Sequence, residues 1–374
     1  MNSVLNKKLI RELLRMRSQV LAIVLVVACG VAMLATNLTA FQALQEAQSR
    51  YYRVFGFAQV FASVKRAPLS LMPRIRGTPG VREVESRIVR ELTLDVPGLD
   101  EPATGRAISL PDSHQPLLNR IYLRKGRLPE PGNLDEILMS ETFGEAHDLQ
   151  VGSTIGAVVH GKWRRLQIVG IGLSPEYIYE IKPGDLFPDN RRFGTLWMSE
   201  EALAAAFDMD GAFDNISLTL DKTASEQALI RSLDLLLGRY GAAGAYGRKN
   251  QVSHTFVTDE IRQNRIFGMI MPLIFLSLAG FLVATLLMRL VSIQRDQIGM
   301  LKAFGFGSGT LATLYAKLAL LIATLGWMVG IALGTWWAGV LGETYRQFYR
   351  FPSLEFSIRP TTILTAYVVV AVNP

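Results

Sequence analysis

Residues 18–45 read SQVLAIVLVVACGVAMLATNLTAFQALQ, 28 consecutive positions without a charge and apolar almost throughout from Val20 to Leu38. A helix rises 1.5 Å per residue, so about 20 apolar residues cross the roughly 30 Å of a bilayer's hydrocarbon. This run exceeds that length. Two more do so further on, 23 uncharged residues at Ile266–Met288 and 25 at Leu318–Gly342. A fourth uncharged run opens at Thr361 and is still apolar at Val372, two positions before the sequence stops. It is expected to be the start of a fourth helix, which makes the chain the front portion of a longer protein. For the first run the alternative is a cleaved signal peptide, since Lys7, Lys8, Arg11, Arg15 and Arg17 precede it. Its apolar stretch outruns a signal core of about 7–15 residues, and no small-x-small cleavage site closes it.

Charge gives the orientation. The 374 residues carry 39 Lys and Arg against 32 Asp and Glu, a formal +7, with 49% hydrophobic and only 19% charged residues. Soluble domains carry about 25% charge, so part of this chain is expected to face lipid. Residues 1–17 hold five basic residues against Glu12, and the stretch after the second run holds Arg289, Arg295, Lys302 and Lys317 against Asp296. Basic residues gather on the cytoplasmic side of short flanks, so both belong inside. Residues 42–265 then lie outside, with 27 basic and 28 acidic residues. The basic excess is thus topogenic, and nucleic acid is not an expected partner.

The expected layout is an α-helical membrane protein with a large α+β extracytoplasmic domain between its first two membrane helices. Residues 1–17 form a cytoplasmic amphipathic helix, with Leu5, Leu9 and Leu13 at i+4 spacing resting on the inner headgroups. Membrane helices follow at 18–41, 266–290 and 310–342. A cytoplasmic loop occupies 291–309, a short external loop 343–360, and the start of the fourth helix 361–374. Within 42–265, strands are expected at Phe57–Val64, Val84–Leu94, Glu136–Met139 and Leu166–Ile171. Another is expected around Ile216, Leu218 and Leu220, which alternate with polar residues, and helices at Leu69–Ile75 and Ser225–Leu237. Two lobes result, standing on helical stalks at Leu38–Phe55 and Thr258–Arg265. Gly326, Gly330 and Gly334 recur every fourth residue, a stripe that lets another helix approach closely in lipid.

Chemistry is sparse. One Cys and four His exclude a disulfide scaffold and a zinc ribbon. His114, His147, His160 and His254 lack metal-ligand spacing. Gly156–Lys162 mimics the spacing of a phosphate loop, but Trp163 stands where a Ser or Thr must hold magnesium, and its flanks read as a hairpin. No catalytic, cofactor-binding or metal-binding residue is therefore assigned. The loop Ser292–Gly305 is too short and polar to span. Ile298, Leu301 and Phe304 fall at i+3 steps beside Arg295, Asp296 and Lys302. Such a helix can lie along the membrane, enter a groove on a partner, or merely connect two spans.

Gln294-Arg295-Asp296-Gln297-Ile298-Gly299-Met300-Leu301-Lys302-Ala303-Phe304-Gly305 closely resembles the coupling-helix signature of the FtsX-like, or MacB-type, ABC transporter permeases. Pro79-Gly80-Val81, Gly126-Arg127-Leu128-Pro129, Glu136–Glu141, Leu149–Ile155 and Ile168–Ile171 are similar, in the same order, to that family's periplasmic core domain. Gln297 departs from the pattern, which has a charge there. The resemblance implies a permease subunit of the bacterial cytoplasmic (inner) membrane, N-terminus inside, with no cofactor of its own. A separate cytoplasmic ABC ATPase would bind ATP and dock on Gln294, Arg295, Asp296, Ile298, Gly299, Leu301, Lys302 and Phe304. Its motion would pass through the stalks to the external domain, for export or extraction of an amphipathic substrate. The resemblance further implies a homodimer or pseudo-dimer of permease units, a periplasmic adaptor and contact with membrane lipid. The same architecture also suits a signal transducer that switches an extracytoplasmic partner such as a cell-wall hydrolase.

Overall fold

The structure is a computed structural model that describes Arg11 and residues 15–372, with only the backbone of Leu301. Most of the amphipathic helix expected at 1–17, and Asn373 and Pro374, lie outside the described residues. The chain divides into two compact units. The first takes residues up to Gln45, Glu260–Tyr345 and the chain from Leu354; the second takes Glu46–Asp259 and Arg346–Ser353. Helix α1 (Arg17–Val54) contributes residues to both.

In the second unit, β1 (Val60–Pro68) leads through a 3-10 turn into the short α2 (Met72–Arg76), then β2 (Val81–Arg87). The strand read from sequence as Val84–Leu94 is in fact two, because β3 (Val89–Asp95) belongs to a different sheet. Ile88 makes the crossing. Its N–H donates to Ser109 Oγ at 2.9 Å, and its carbonyl accepts from Ser109 N at 2.9 Å. Both backbone groups are satisfied although they leave the β2 ladder, and the side chain is buried. Arg87 and Ile88 are both buried, so the chain stays covered through the crossing and no exposed turn residue marks the break.

The remaining elements are β4 (Ala103–Leu110), β5 (Tyr122–Gly126), β6 (Glu136–Ser140), α3 (Glu141–Ala146), β7 (Thr154–Val159) and β8 (Lys162–Leu173). After them come β9 (Phe193–Ser199), α4 (Glu200–Ala206), β10 (Ala212–Leu220), α5 (Glu226–Leu237) and β11 (Tyr246–Gly247). One sheet runs β11-β1-β10-β2, the other β5-β8-β6-β9-β4-β3-β7. An added β7–β8 pairing returns the second sheet on itself, removing an edge. In the smaller sheet β10 pairs antiparallel with β1, Leu218 opposite Val60 and Ile216 opposite Ala62. Helix α5 covers them. Ser225 Oγ caps its first turn by accepting from Ala228 N at 3.4 Å, and Leu229, Leu233 and Leu237 pack on that face. The larger sheet closes over Ile137, Met139, Ile155, Leu166, Ile168 and Leu196, with Phe143 among them.

The remaining helices are α6 (Val252–Ile293), α7 (Arg295–Ala303), α8 (Ser308–Phe348) and α9 (Pro360–Val372), all of the first unit except residues 252–259 and 346–348. Helices α1, α6 and α8 are each long and apolar enough to cross a membrane. They outrun their charge-free segments; α8, for example, continues six residues past Gly342. Pro272 lies within α6 without ending it. Val24, Val27 and Val31 of α1, Val283 of α6, Ile322 of α8 and Ala366 of α9 form one buried cluster. Trp327 Nε1 donates to Ile363 O at 3.2 Å, joining α8 to α9.

Candidate functional site: the loop helix and the glycine seam

The only segments on which sequence placed candidate residues are α7 and the stripe on α8. Gln294 forms the joint between α6 and α7. Its N–H donates to Leu290 O at 3.0 Å, closing α6, while its carbonyl accepts from Ile298 N at 2.9 Å, opening α7. The side chain is buried, with Tyr315 OH 3.5 Å from its Oε1. Asp296 stands in the first turn and Lys302 in the last, each at the helix end whose dipole favours its charge. Arg295, Asp296, Gly299 and Lys302 are exposed. Gly305, at φ +91°, then turns the chain towards α8.

The apolar face expected from Ile298, Leu301 and Phe304 is uneven. Ile298 is half-buried, and the side chain of Leu301 lies outside those described. Phe304 is not within the helix but caps it, and it is 82% exposed. Met300, not chosen from the sequence, is 57% exposed, and its i,i+4 spacing to Phe304 was the available signal. The chain thus presents two large apolar side chains, with basic and acidic neighbours, on a short polar loop.

The stripe has the opposite character. A Cβ placed on Gly326 would stand 2.6 Å from Val27 Cβ, one on Gly330 2.6 Å from Val31 Cβ, and one on Gly334 2.9 Å from Ala35 Cβ. Real Cβ atoms essentially never approach below 3.0 Å, so only glycine fits along this seam. Thr36 Oγ1 donates across it to Gly334 O at 3.2 Å. Close backbone approach replaces the hydrophobic drive that lipid cannot supply.

The second unit holds most of the buried charge. Arg87 Nη1 lies 2.6 Å from Glu176 Oε2, and Arg87 Nη2 donates to Asn215 Oδ1 at 2.8 Å. Asn119 Nδ2 donates to Glu176 Oε2 at 3.0 Å, and Asn119 Oδ1 accepts from Ala58 N at 2.9 Å. This network ties the end of β2, strand β10 and the turn after β8 together. Burial raises the Glu85 carboxyl above its usual range although Leu117 N and Leu118 N donate to it. Burial likewise raises Glu180, which accepts from Thr142 Oγ1 and Thr195 N. Each of these groups is satisfied by neighbours within the unit, as structural charges are. Among the described residues no group of three or more His, Cys, Asp or Glu is arranged to hold a metal. His160 and Gly161, both at positive φ, form the two-residue turn between β7 and β8, so the phosphate-loop lookalike is a hairpin.

Parts of the chain are similar to known proteins. Residues 269–373 match the family described as FtsX-like permease C-terminal. No curated protein sequence matches the chain significantly. Among solved structures, the periplasmic region of MacB from Actinobacillus actinomycetemcomitans aligns at 11% identity and a TM-score of 0.33, over 56% of this chain and 95% of its own. The extracellular domain of the ABC-type transporter YknZ from Gram-positive bacteria aligns at 13% identity and a TM-score of 0.33, over 51% of this chain and 98% of its own. The matched stretch of sequence takes in α7, the glycine seam and α9, so this part of the chain is similar to the C-terminal region of FtsX-like permeases.

Proposed function

We propose that this chain is the membrane subunit of an ABC transporter of the cytoplasmic membrane, powered by a separate cytoplasmic ATPase. The observation that carries the reading is the exposure of Met300 and Phe304 on the loop between two membrane helices, inside the family-matched stretch. Large apolar side chains on a polar connector cost free energy in water and gain it in a partner's groove. In this reading they seat in the ATPase, together with Leu301. Arg295, Asp296 and Lys302 make rim contacts, where charge sets orientation and encounter rate more than affinity. Gln294 and Gly299 shape the helix, and half-buried Ile298 steadies it.

Dimerisation of the ATPase on ATP would then displace α7 and with it α6. Helices α1 and α6 each contribute residues to both units, which supports a mechanical link to the external domain. The external domain would engage cargo or an adaptor, and a second permease unit would complete the transporter. The cargo is an amphipathic molecule exported or extracted from the membrane, and ATP is bound by the partner alone. The N-terminus lies in the cytoplasm.

The test is affinity purification of the full-length chain from its own membranes, comparing wild type with Met300→Asp and Phe304→Asp. The wild type should bring down an ABC ATPase, identified by sequence, in a complex that hydrolyses ATP. Both variants should insert normally and lose that subunit. Undiminished capture by both would overturn the coupling role. Orientation is read separately: a cysteine at Gly161 should react with a membrane-impermeant thiol reagent added outside intact cells.

A further inference from the structure

We infer that the first unit holds a groove for a long-chain amphiphile with a cationic amine headgroup, and that Glu260 supplies the counter-charge. This rests on the transporter reading above and names the class of its cargo. The groove has a volume of about 650 Å³ and is open along its side. Its walls are mostly apolar: Met33 of α1, Phe267 and Phe275 of α6, and Leu333, Trp336 and Trp337 of α8. Phe267, Trp336 and Trp337 are about half exposed, so the cleft can be entered from the lipid side.

One end is polar. Asn264 is 5% exposed, and its Nδ2 lies 2.9 Å from Glu260 Oε1 and 2.8 Å from Tyr345 OH. The Tyr345 hydroxyl also donates to Glu260 Oε1. One carboxylate oxygen is therefore held by two neutral donors. Among the described residues, no donor to Oε2 and no cation paired with Glu260 is found. A carboxylate at the head of an apolar cleft, fixed in place but uncompensated in charge, is complementary to an ammonium group. It repels carboxylate and phosphate headgroups.

Length narrows the ligand further. From Glu260 to Phe275 the groove follows α6 for about 22 Å at 1.5 Å per residue, the reach of a long extended alkyl chain. The distal end is marked by Cys29, the chain's single cysteine, which is exposed and lines the same groove. A Cβ on its neighbour Gly30 would stand 3.0 Å from Phe275 Cβ. The headgroup would thus sit at Glu260 and the tail beside Cys29.

Cys29 makes the test direct. The full-length chain in nanodiscs of neutral lipid is labelled with a lipophilic maleimide in the presence of octadecylamine, octadecanol or stearate. Octadecylamine should slow labelling at least tenfold, with half-protection at a concentration at least tenfold below that of octadecanol; stearate should protect least. Glu260→Gln, which keeps the acceptor for Tyr345 and Asn264, should bring amine and alcohol within about twofold of each other. Its labelling rate without ligand should match wild type. Equal protection by all three probes, or an amine preference that survives in Glu260→Gln, overturns the inference. So does a ligand-free Cys29 that resists labelling and cross-links to a second copy, because the groove is then an interface. No ATPase or nucleotide enters this assay. Failure of ATPase capture therefore leaves the amine preference readable, and loss of that preference leaves ATPase capture intact.

Discussion

Gly330 and Gly299 are both helical glycines of the membrane unit, and their surroundings are opposites. A methyl group on Gly330 would collide with Val31 and with the carbonyl of Ala28, at 2.6 and 2.8 Å. On Gly299 it would meet nothing within 4 Å. The first glycine belongs to a seam that the chain closes with its own atoms. The second belongs to a helix whose outer face is left open among the described residues. A closed seam reports on folding and an open face on partnership, although the two are written with the same residue.

The contrast can be broken most directly at the seam. Gly330→Leu should destabilise the membrane unit by about 3 kcal/mol, at the upper end of overpacking costs, because backbone as well as side chain must move. Thermal unfolding in detergent reads this, and an unchanged midpoint would mean that the seam is not closed in the membrane. The next effect asks whether closure extends to charge in the second unit. Burial raises the Asp214 carboxyl to about 6 from its ordinary 3.8, against the lowering effects of Val89 N and Arg90. Between those values the folded chain holds a proton that the unfolded chain releases. Its contribution is full below about pH 4 and lost as pH rises through 6. Asp214→Asn, which keeps an acceptor for Val89 N, should shrink the loss of stability between pH 4 and 7 by about 2 kcal/mol. Fluorescence of buried Trp197 during unfolding reports it.

Smaller effects belong to the open face. Phe304→Ala should weaken ATPase binding about tenfold, or about 1.4 kcal/mol, with no change in unfolding midpoint. Smallest of all, Gly299→Ala should stabilise α7 by about 0.5–1 kcal/mol, read as slower amide exchange in that helix alone. A loss of overall stability from Gly299→Ala would erase the distinction between the two glycines.

The membrane helices were legible because lipid imposes a simple demand: a charge-free run longer than the bilayer is thick. The period of four in Gly326, Gly330 and Gly334 is legible for a similar reason, since it recurs within one helix. Strand β9 was not, because all seven of its residues are buried. It lies between β6 and β4, and a strand covered on both faces carries no alternation to read. The exposure of α7 could not be foreseen residue by residue, since helical spacing aligns Ile298 with Phe304 but does not say where the helix stops. The groove was the least legible feature. Glu260 and Asn264 are four residues apart on α6, but Tyr345 on α8 lies 81 and 85 residues from Asn264 and Glu260, and no local pattern connects it to them.

The single residue between β2 and β3 has a consequence for how this chain can change length. On the far side of Ile88, Leu92, Leu94 and Val96 point into the core while Glu91, Thr93 and Asp95 face water. Strand side chains alternate with a period of two, so one extra residue at this crossing would exchange the sets, driving two carboxylates inward. Two extra residues would restore the phase. The crossing should therefore act as a parity check, one inserted residue lowering the unfolding midpoint more than two inserted residues do.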